Sequence, residues 1–286
     1  MTNQSRVDRV FARLLMNHPY GWALYKKVSA KDLRPGIVGY FDSEGDWKAL
    51  KIQNHLLDAD SREPEPLAWG PKSSESVVWR QIGGSIGTPV MVVPVEASLK
   101  LSVQCQSDEG AIMVTQNPVL KHQIDDEGTV VEWVKSNKTT LIKGYKSIID
   151  KHGIWVITKT YTSHRCAVAV MSSKSSSVEL GISADIPGIF TLTPTSEWLS
   201  SSTNSSFEIH EDNQGVVAFI SGIYFSRRIL GSDLKQARAQ DEQRKKFLRG
   251  NKEDLSLNGK EDQGDEEDYG IELFNCMTNL DRKLSN

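Results

Sequence analysis

The sequence predicts an α+β fold in which a twisted antiparallel sheet with long hairpins is surrounded by helices. Two segments alternate apolar and polar residues with a period of two, and segments of helical periodicity lie between the strand-like ones. The 286 residues suffice for one large domain or two small ones. A composition of 38% hydrophobic and 25% charged residues excludes a coiled coil, a collagen and a wholly disordered chain.

The first element is a basic amphipathic helix that Ser5 can cap. Apolar residues at helical spacing define one face: Val7, Val10, Phe11, Leu14 and Leu15. The arginines at positions 6, 9 and 13 lie mostly off that face and interrupt the apolar residues, so we expect no signal peptide. The helix either packs on a core with its arginines solvated or contacts anionic lipid, where each basic residue contributes about 1 kcal/mol.

A hairpin and a loop follow this helix. The segment GIVGYFDSEGDWKALKI places a DSEG turn between two aromatic-rich runs, which predicts a β-hairpin. The stretch from Gln53 to Ser76 is rich in proline and predicts a long loop.

Two later segments carry the strongest strand pattern. In VEASLKLSVQC the apolar positions are Val95, Ala97, Leu99, Leu101, Val103 and Cys105. An SDEG turn and the run AIMVTQNPVL predict a return strand and thus a hairpin over about residues 90–120. In SVELGISADIPGIFTL the apolar positions are Val178, Leu180, Ile182, Ala184 and Ile186. The preceding run IWVITKTYTSHRCAVAVM, joined through SSKSSS, predicts a second hairpin over about residues 154–192.

The other elements of the body have weaker patterns. NKTTLIKGYKSIIDKHG predicts a helix that ends at Gly153, and VVAFISGIYF predicts a last strand. DDEG and EDNQG lack the alternating ligands of a calcium loop and are interpreted as hairpin turns.

Charge separates the C-terminal part from the rest. Residues 251–286 contain ten acidic and four basic residues, whereas residues 1–250 have a net charge of +3. We therefore predict a body over residues 1–231, a polar linker helix over 232–250 and an acidic tail over 251–286. The tail either improves solubility alone or acts as an inhibitory lid that covers cationic surface of the body.

No motif predicts an enzyme, a cofactor or a metal site. The six histidines form no HExxH motif, the glycines form no phosphate-binding loop, and no GxSxG elbow is present. Three cysteines without CxxC spacing fit a reducing cytosol better than a disulfide framework. The net charge of −3 excludes a globally basic nucleic-acid binder.

The alternating segments are long enough to cross a membrane, which takes about 9–11 residues per strand. An ordinary half-buried strand has the same alternation but averages about 5–6 residues. A closed ring of strands made by one chain needs about eight or more, and this sequence offers about four, so spanning strands would require several copies of the chain.

The stretch FARLLMNHPYGWALYKKVSAKDLRPGIVGYFDSEGDWKALKI resembles the start of the gasdermin N-terminal domain. The shared features are Phe11 in the first helix, the strand entry at Gly21–Leu24 and the hairpin from Leu33 to Trp47. HGIWVITKTYTS with CAVAV, and QGVVAFISGIYFSRRI, are similar to later gasdermin strands. The resemblance covers about residues 6–231 and is strongest to the short fungal gasdermins that control cell death in heterokaryon incompatibility.

This resemblance implies a pore-forming protein that is cytoplasmic and inactive until its C-terminal inhibitory part is removed. The released part then binds acidic phospholipids, forms a homo-oligomer and inserts two hairpins per subunit into the cell membrane, which kills the cell. The residues to which the resemblance gives lipid binding are Arg6, Arg9, Arg13, Lys26 and Lys27. Animal members carry a full inhibitory domain, whereas only residues 251–286 follow Gly250 here, as in the short fungal members.

In some short members a subtilisin-like protease removes the tail, and in others an incompatible variant triggers assembly without cleavage. The segment QRKKFLRGNKED offers Phe247 or Leu248 to a protease that prefers apolar residues, and Arg244 to Lys246 to a basic-specific one. The same segment also fits a plain helix end capped by Gly250. The alternative function is that of a soluble β-rich binding or scaffold protein with a disordered acidic tail and no membrane activity.

Overall fold

Antiparallel strands predominate in the computed structural model, which describes residues 6–52, 63–82, 99–174, 176–186, 189–201 and 205–225. These residues form two helices and thirteen strands, which confirms the predicted α+β class. The chain divides into two compact units. The first comprises residues 1–34, 61–123 and 159–221, and the second comprises 35–60, 124–158 and 222–286.

The helices are α1 (Val7–Leu14) and α2 (Glu127–His152). The strands, in chain order, are β1 (Trp22–Ala23), β2 (Val38–Phe41), β3 (Trp47–Ala49), β4 (Glu65–Leu67), β5 (Lys72–Ser73), β6 (Val77–Ile82), β7 (Leu99–Cys105), β8 (Gly110–Thr115), β9 (Val119–Gln123), β10 (Ile154–Met171), β11 (Ser177–Ile186), β12 (Ile189–Ser201) and β13 (Ser205–Phe225).

In the first unit, α1 buries one face in an aromatic core. Phe11 and Leu15 are fully buried, and the Phe11 ring packs edge-on against Tyr25 at 5.4 Å between centroids. Val7 is 38% exposed, so the apolar face is narrower than the sequence predicted. The N-cap is Arg6, which makes no side-chain capping bond, and the predicted cap Ser5 lies outside the described residues.

The predicted proline-rich loop contains two short strands in the part that the structure describes. β4 pairs with β9, and β5 pairs with β8. Between them Trp69 is buried, and its backbone is held by the Asn117 side chain. The Trp69 N–H donates to Asn117 Oδ1 and Asn117 Nδ2 donates to the Trp69 carbonyl, both at 2.8 Å. These strands were not predicted because their pairing partners lie far away in the sequence.

Replacing Asn117 with Ala is expected to lower the free energy of unfolding by about 3 kcal/mol, because it leaves two buried backbone groups unpaired. Urea unfolding measures this loss. The control is Asn137→Ala, since the Asn137 amide bonds one carbonyl within α2 and Ala has a higher helix propensity there. Equal losses in the two variants would contradict the role given to Asn117.

In the second unit, α2 packs against β2 and the beginning of β10. The predicted β2–β3 hairpin is confirmed, with Tyr40 opposite Lys48. α2 ends at Gly153 as predicted, but it begins at Glu127 rather than near residue 137. The Asp126 side chain accepts hydrogen bonds from the backbone N–H groups of Gly128 and Thr129, so DDEG caps a helix and is not a hairpin turn.

Strands β6, β7, β11 and β12 form an antiparallel sheet in the order β12-β11-β7-β6, all within the first unit. We call it the four-strand sheet. In β7, Val103 lies opposite Val178 of β11 and Trp79 of β6. β11 and β12 follow each other in sequence and form a hairpin, with Ile186 opposite Ile189.

Both long hairpins predicted from the sequence are wrong in their pairing. β7 and β8 flank the SDEG turn, but β7 pairs with β6 and β11 whereas β8 pairs with β5 and β10. β10 and β11 flank SSKSSS but are assigned to different sheets, and the hairpin is β11–β12. The run AIMVTQNPVL is divided between β8 and β9, because Pro118 has no N–H to give to a strand ladder. A turn sequence alone does not tell whether the chain returns to the same sheet.

The four-strand sheet packs on the rest of the first unit at one end, where Val103 and Val178 share a buried cluster with Ile112 and Met171. The register places Val77 opposite Cys105, and Val178 opposite both Val103 and Ser201. Four strand termini therefore lie together there, which we call the attached end: the start of β6, the end of β7, the start of β11 and the end of β12.

The last strand, β13, is 21 residues long and includes the predicted VVAFISGIYF strand. EDNQG lies inside β13 and is not a hairpin turn. Gly215 at its end has a φ of +94°, a value that favours glycine. The Gly215 carbonyl accepts the N–H of Ala30, and Phe219 pairs with Ala23, so long-range pairing outweighs the local turn preference.

Candidate functional site: a cationic surface and a four-strand sheet

The arginines of α1 are engaged within this chain. Arg6 Nε donates to Asp8 Oδ1 at 3.0 Å in a bidentate ion pair. Arg13 pairs with Glu109, which lies in the link between β7 and β8. Burial is the main reason why the pKa of the Arg9 guanidinium is lowered, and the positive charge of the nearby Arg6 lowers it further. A phosphate that binds Arg6 or Arg13 must therefore displace a carboxylate.

The two predicted lysines follow β1. Lys27 Nζ donates to the backbone oxygen of Glu211 at 2.6 Å and lies 3.6 Å from Asp212 Oδ2, both in β13. Lys26 beside it is half-buried. The contact of Tyr25 with Phe11 connects this segment to α1.

One cation of the first unit, Lys72 in β5, was not predicted. Its Nζ lies 5.0 Å from the ring centroids of both Tyr20 and Trp69, a cation–π geometry. Within the part of the chain that the structure describes, no carboxylate pairs with Lys72, and burial lowers the pKa of its ammonium. The only feature of the sequence that points to Lys72 is the aromatic residue three positions earlier in WGPK.

The segment after α1 holds β5 in place. Asn17 Nδ2 and His18 Nε2 donate to the Ser73 carbonyl at 3.2 and 3.0 Å. A carbonyl only accepts hydrogen bonds, which assigns the His18 proton to Nε2. Burial is the main reason why the pKa of His18 is lowered, and Lys72 lowers it further. Arg13, Asn17, His18 and Lys72 together make up what we call the α1–β5 surface.

The residues predicted to face the membrane or to be cleaved fall into three groups. Val103 and Val178 are fully buried in a cluster with Ile112 of β8 and Met171 of β10. Six others are placed on strands: Leu99 and Leu101 on β7, and Leu180, Ile182, Ala184 and Ile186 on β11. Four predicted positions lie outside the described residues: Val95 and Ala97, and the cleavage residues Phe247 and Leu248.

The outer strands of the four-strand sheet are β6 and β12. Among the described residues, β6 pairs only with β7 and β12 pairs only with β11, so each has one edge without a strand partner. β11 has ten residues and β12 has thirteen. Each reaches the length of about 9–11 residues with which a strand crosses a bilayer.

Hydrogen bonds fasten the attached end of the sheet. The N–H of Gln106 donates to the Ser76 carbonyl at 2.8 Å, and the N–H of Cys105 donates to the Ser176 carbonyl at 3.1 Å. Ser76 Oγ donates to the Glu109 carbonyl at 2.6 Å. Because the Glu109 carboxylate pairs with Arg13, one residue connects α1 to the attached end.

In the segments that the structure describes, no helix has both the length and the apolar character needed to cross a membrane. The His, Cys, Asp and Glu side chains of those segments form no group of three or more that could hold a metal ion.

No protein-family model matches the sequence, and no curated protein matches it. Among solved structures, the cryo-EM structure of the Gasdermin A3 membrane pore is similar over 80% of this chain and 96% of that chain. The two are 10% identical in sequence, with a TM-score of 0.31. At that TM-score the likeness supports no conclusion about function.

Proposed function

We propose that this chain is a gasdermin-like pore-forming protein that binds acidic phospholipids, assembles with copies of itself and inserts strands into the cell membrane. The observation that carries this proposal is the four-strand sheet, which is antiparallel, attached at one end and bounded by two strands with unpaired edges in the described part of the chain. The sequence resemblance over about residues 6–231 supports the same function.

The unpaired edges give a reason for assembly. A backbone N–H or C=O without a partner in lipid costs several kcal/mol, so an inserted sheet needs a neighbour at each edge. If β12 of one copy pairs with β6 of the next, the contact is head-to-tail, and repetition with rotation closes a ring. The membrane-facing residues in this proposal are the apolar positions predicted on β7 and β11, with Val103 and Val178 among them, together with Val95 and Ala97.

Lipid binding is assigned to Arg6, Arg9, Arg13, Lys26 and Lys27. The Arg13 and Glu109 side chains are 45% and 37% exposed, and an ion pair at that exposure contributes about 1 kcal/mol or less. An acidic membrane surface contributes about 1 kcal/mol for each basic residue brought to it. Several cations acting together can therefore exchange their internal carboxylates for lipid phosphates with little net change in free energy.

Activation is assigned to the residues after the body. In this proposal residues 1–231 form the pore, 232–250 a linker and 251–286 an inhibitory tail whose net charge of −6 offsets the net charge of +3 of residues 1–250 and covers the cationic surface. A subtilisin-like protease cuts at Phe247 or Leu248, or an incompatible variant triggers assembly. The protein is cytoplasmic before this event and on the cell membrane after it, as part of a fungal cell-death response.

Dye leakage from acidic vesicles before and after limited proteolysis tests the proposal. A pore-former releases dye after proteolysis and forms a large oligomer. The soluble scaffold alternative predicts no release under either condition and no large oligomer, and that result would overturn the proposal.

Glu109→Gln is expected to strengthen the binding of the full chain to acidic vesicles about five-fold, because Arg13 no longer has a carboxylate partner. Co-sedimentation with phosphatidylserine vesicles measures the change. The control is Glu132→Gln, which removes the same charge from an ion pair with Lys135 on α2. An equal gain in both variants would attribute the effect to net charge and not to Arg13.

A further inference from the structure

We propose that Lys72 is a binding position for the phosphate of an acidic lipid headgroup. The inference rests on the proposed lipid binding and extends it from α1 and the segment after β1 to β5. It assigns the ligand to an ammonium that lies against the adjacent rings of Tyr20 and Trp69, at the point where the chain leaving α1 contacts β5.

The Lys72 ammonium lies against a pair of adjacent aromatic rings. The Tyr20 and Trp69 rings lie 4.3 Å apart between centroids, and Nζ is equidistant from them at 5.0 Å. The carbonyl of the neighbouring Ser73 accepts hydrogen bonds from Asn17 and His18, and the Ser73 Oγ accepts one from Trp79 Nε1 at 3.1 Å. A phosphate therefore meets a preorganised cation, and little side-chain entropy is lost on binding.

Charge distinguishes Lys72 from the other cation of the α1–β5 surface. Arg13 pairs with Glu109, whereas no carboxylate in the described residues neutralises Lys72. A half-buried ammonium without a counter-ion is destabilised by its lost hydration, and an anion placed beside it offsets that loss. Lys72 thus binds a phosphate without first giving up a carboxylate of the described residues.

The surroundings of Lys72 favour a lipid over free phosphate. Tyr20 is half-buried, and Tyr and Trp rings are the side chains that proteins place at the headgroup level of a bilayer. His18 already donates its Nε2–H to the Ser73 carbonyl, and an anion nearby favours protonation of Nδ1, which then becomes a second donor. The half-buried Tyr20 ring beside Lys72 provides contact for the glycerol and acyl portion of a lipid, which free phosphate lacks.

Carbon-13 reductive methylation of lysines in the full chain tests the inference by NMR, since the dimethylated ammonium keeps its charge. The Lys72 signal is identified by its loss in Lys72→Arg and by the upfield shift that two aromatic rings impose. The titrants are dihexanoyl phosphatidylserine and dihexanoyl phosphatidylcholine below their micelle concentrations, and inorganic phosphate. We expect a saturable shift of the Lys72 signal with phosphatidylserine that is at least five-fold larger than with either other titrant.

The three titrations distinguish between the possible sources of the phosphate. A shift with inorganic phosphate equal to that with phosphatidylserine would overturn the lipid assignment, and no shift with any titrant would overturn the site. Because this readout needs no pore, a shift with phosphatidylserine in a chain that never releases dye would retain the site and remove the proposed function.

Vesicle binding provides a second measurement on the full chain and on its proteolysed product. We expect Lys72→Gln to weaken co-sedimentation with phosphatidylserine vesicles about five-fold and Lys72→Arg to change it less than two-fold. The control Lys135→Gln removes the same charge from α2 and is expected to change binding less than two-fold. Equal losses in Lys72→Gln and Lys135→Gln would contradict a site at Lys72, and thermal melting confirms that each variant is folded.

Discussion

Cleavage after Phe247 is expected to raise the rate of dye release from phosphatidylserine vesicles at least ten-fold over that of the intact chain. The cut removes ten acidic and five basic residues, so the net charge of the remaining chain changes from −3 to +2. A change of about 1.4 kcal/mol in membrane binding alone produces the ten-fold difference. The measurement is fluorescence of an encapsulated dye, with the chain cut by a protease whose recognition site is inserted after Phe247.

Two controls separate the tail from the general effect of proteolysis. Phosphatidylcholine vesicles carry no net charge and are expected to retain their dye with cut or intact protein. A synthetic peptide of residues 251–286, added to the cut protein, is expected to slow release again. If the intact and the cut chain release dye at the same rate, the tail has no inhibitory role.

Leu101→Asp is expected to abolish dye release by the cut chain while leaving its vesicle binding unchanged. Position 101 lies in β7 opposite Leu180 of β11, on the strand pair proposed to insert. A carboxylate on the lipid side of a membrane strand costs up to about 2 kcal/mol, and every subunit of a ring contributes that cost. Co-sedimentation and dye release, measured on the same samples, distinguish binding from insertion.

The matched control is Ser102→Asp, which places the same carboxylate one residue along β7, where the alternation of a strand puts it on the opposite face. We expect this variant to release dye at close to the normal rate. Release that is unchanged in Leu101→Asp would show that this face of β7 never meets lipid. Far-UV circular dichroism establishes that both variants are folded before they are compared.

Periodicity predicted the class of the fold and the elements with the strongest patterns. α1, the β2–β3 hairpin and the end of α2 at Gly153 follow from signals within about ten residues, namely apolar spacing, a turn sequence and a C-terminal glycine. The Asp126 cap was misinterpreted because a carboxylate before a glycine begins a helix as readily as it forms a turn.

Sheet membership was not predictable from local patterns. β7 and β8 are consecutive and joined by a good turn sequence, yet they belong to different sheets. Their partners, β11 and β10, come more than forty residues later in the chain. Strand pairing is decided by the packing of buried residues such as Val103 and Val178, which a single sequence does not reveal.

The candidate site was predicted in part for the same reason. The arginines at positions 6, 9 and 13 could be proposed from the sequence because they lie within eight residues of one another, and their role in lipid binding stays a prediction. Glu109, the partner of Arg13, is 96 residues away, and the rings around Lys72 come from positions 20 and 69. Only the folded chain brings these groups together. The carboxylate partner of Arg13 and the ring contacts of Lys72 therefore could not be identified without the structure.

If the four-strand sheet inserts as proposed, its attachment at one end limits how it can leave the body. Four residues separate Cys105 of β7 from Gly110 of β8, and that connection, fully extended, reaches at most about 18 Å. The hydrocarbon core of a bilayer is about 30 Å thick, so β8 stays on the side from which the protein approaches. In the proposed insertion the sheet must therefore pivot rather than slide, and the end at which β11 and β12 meet is the part that would reach the opposite side of the membrane.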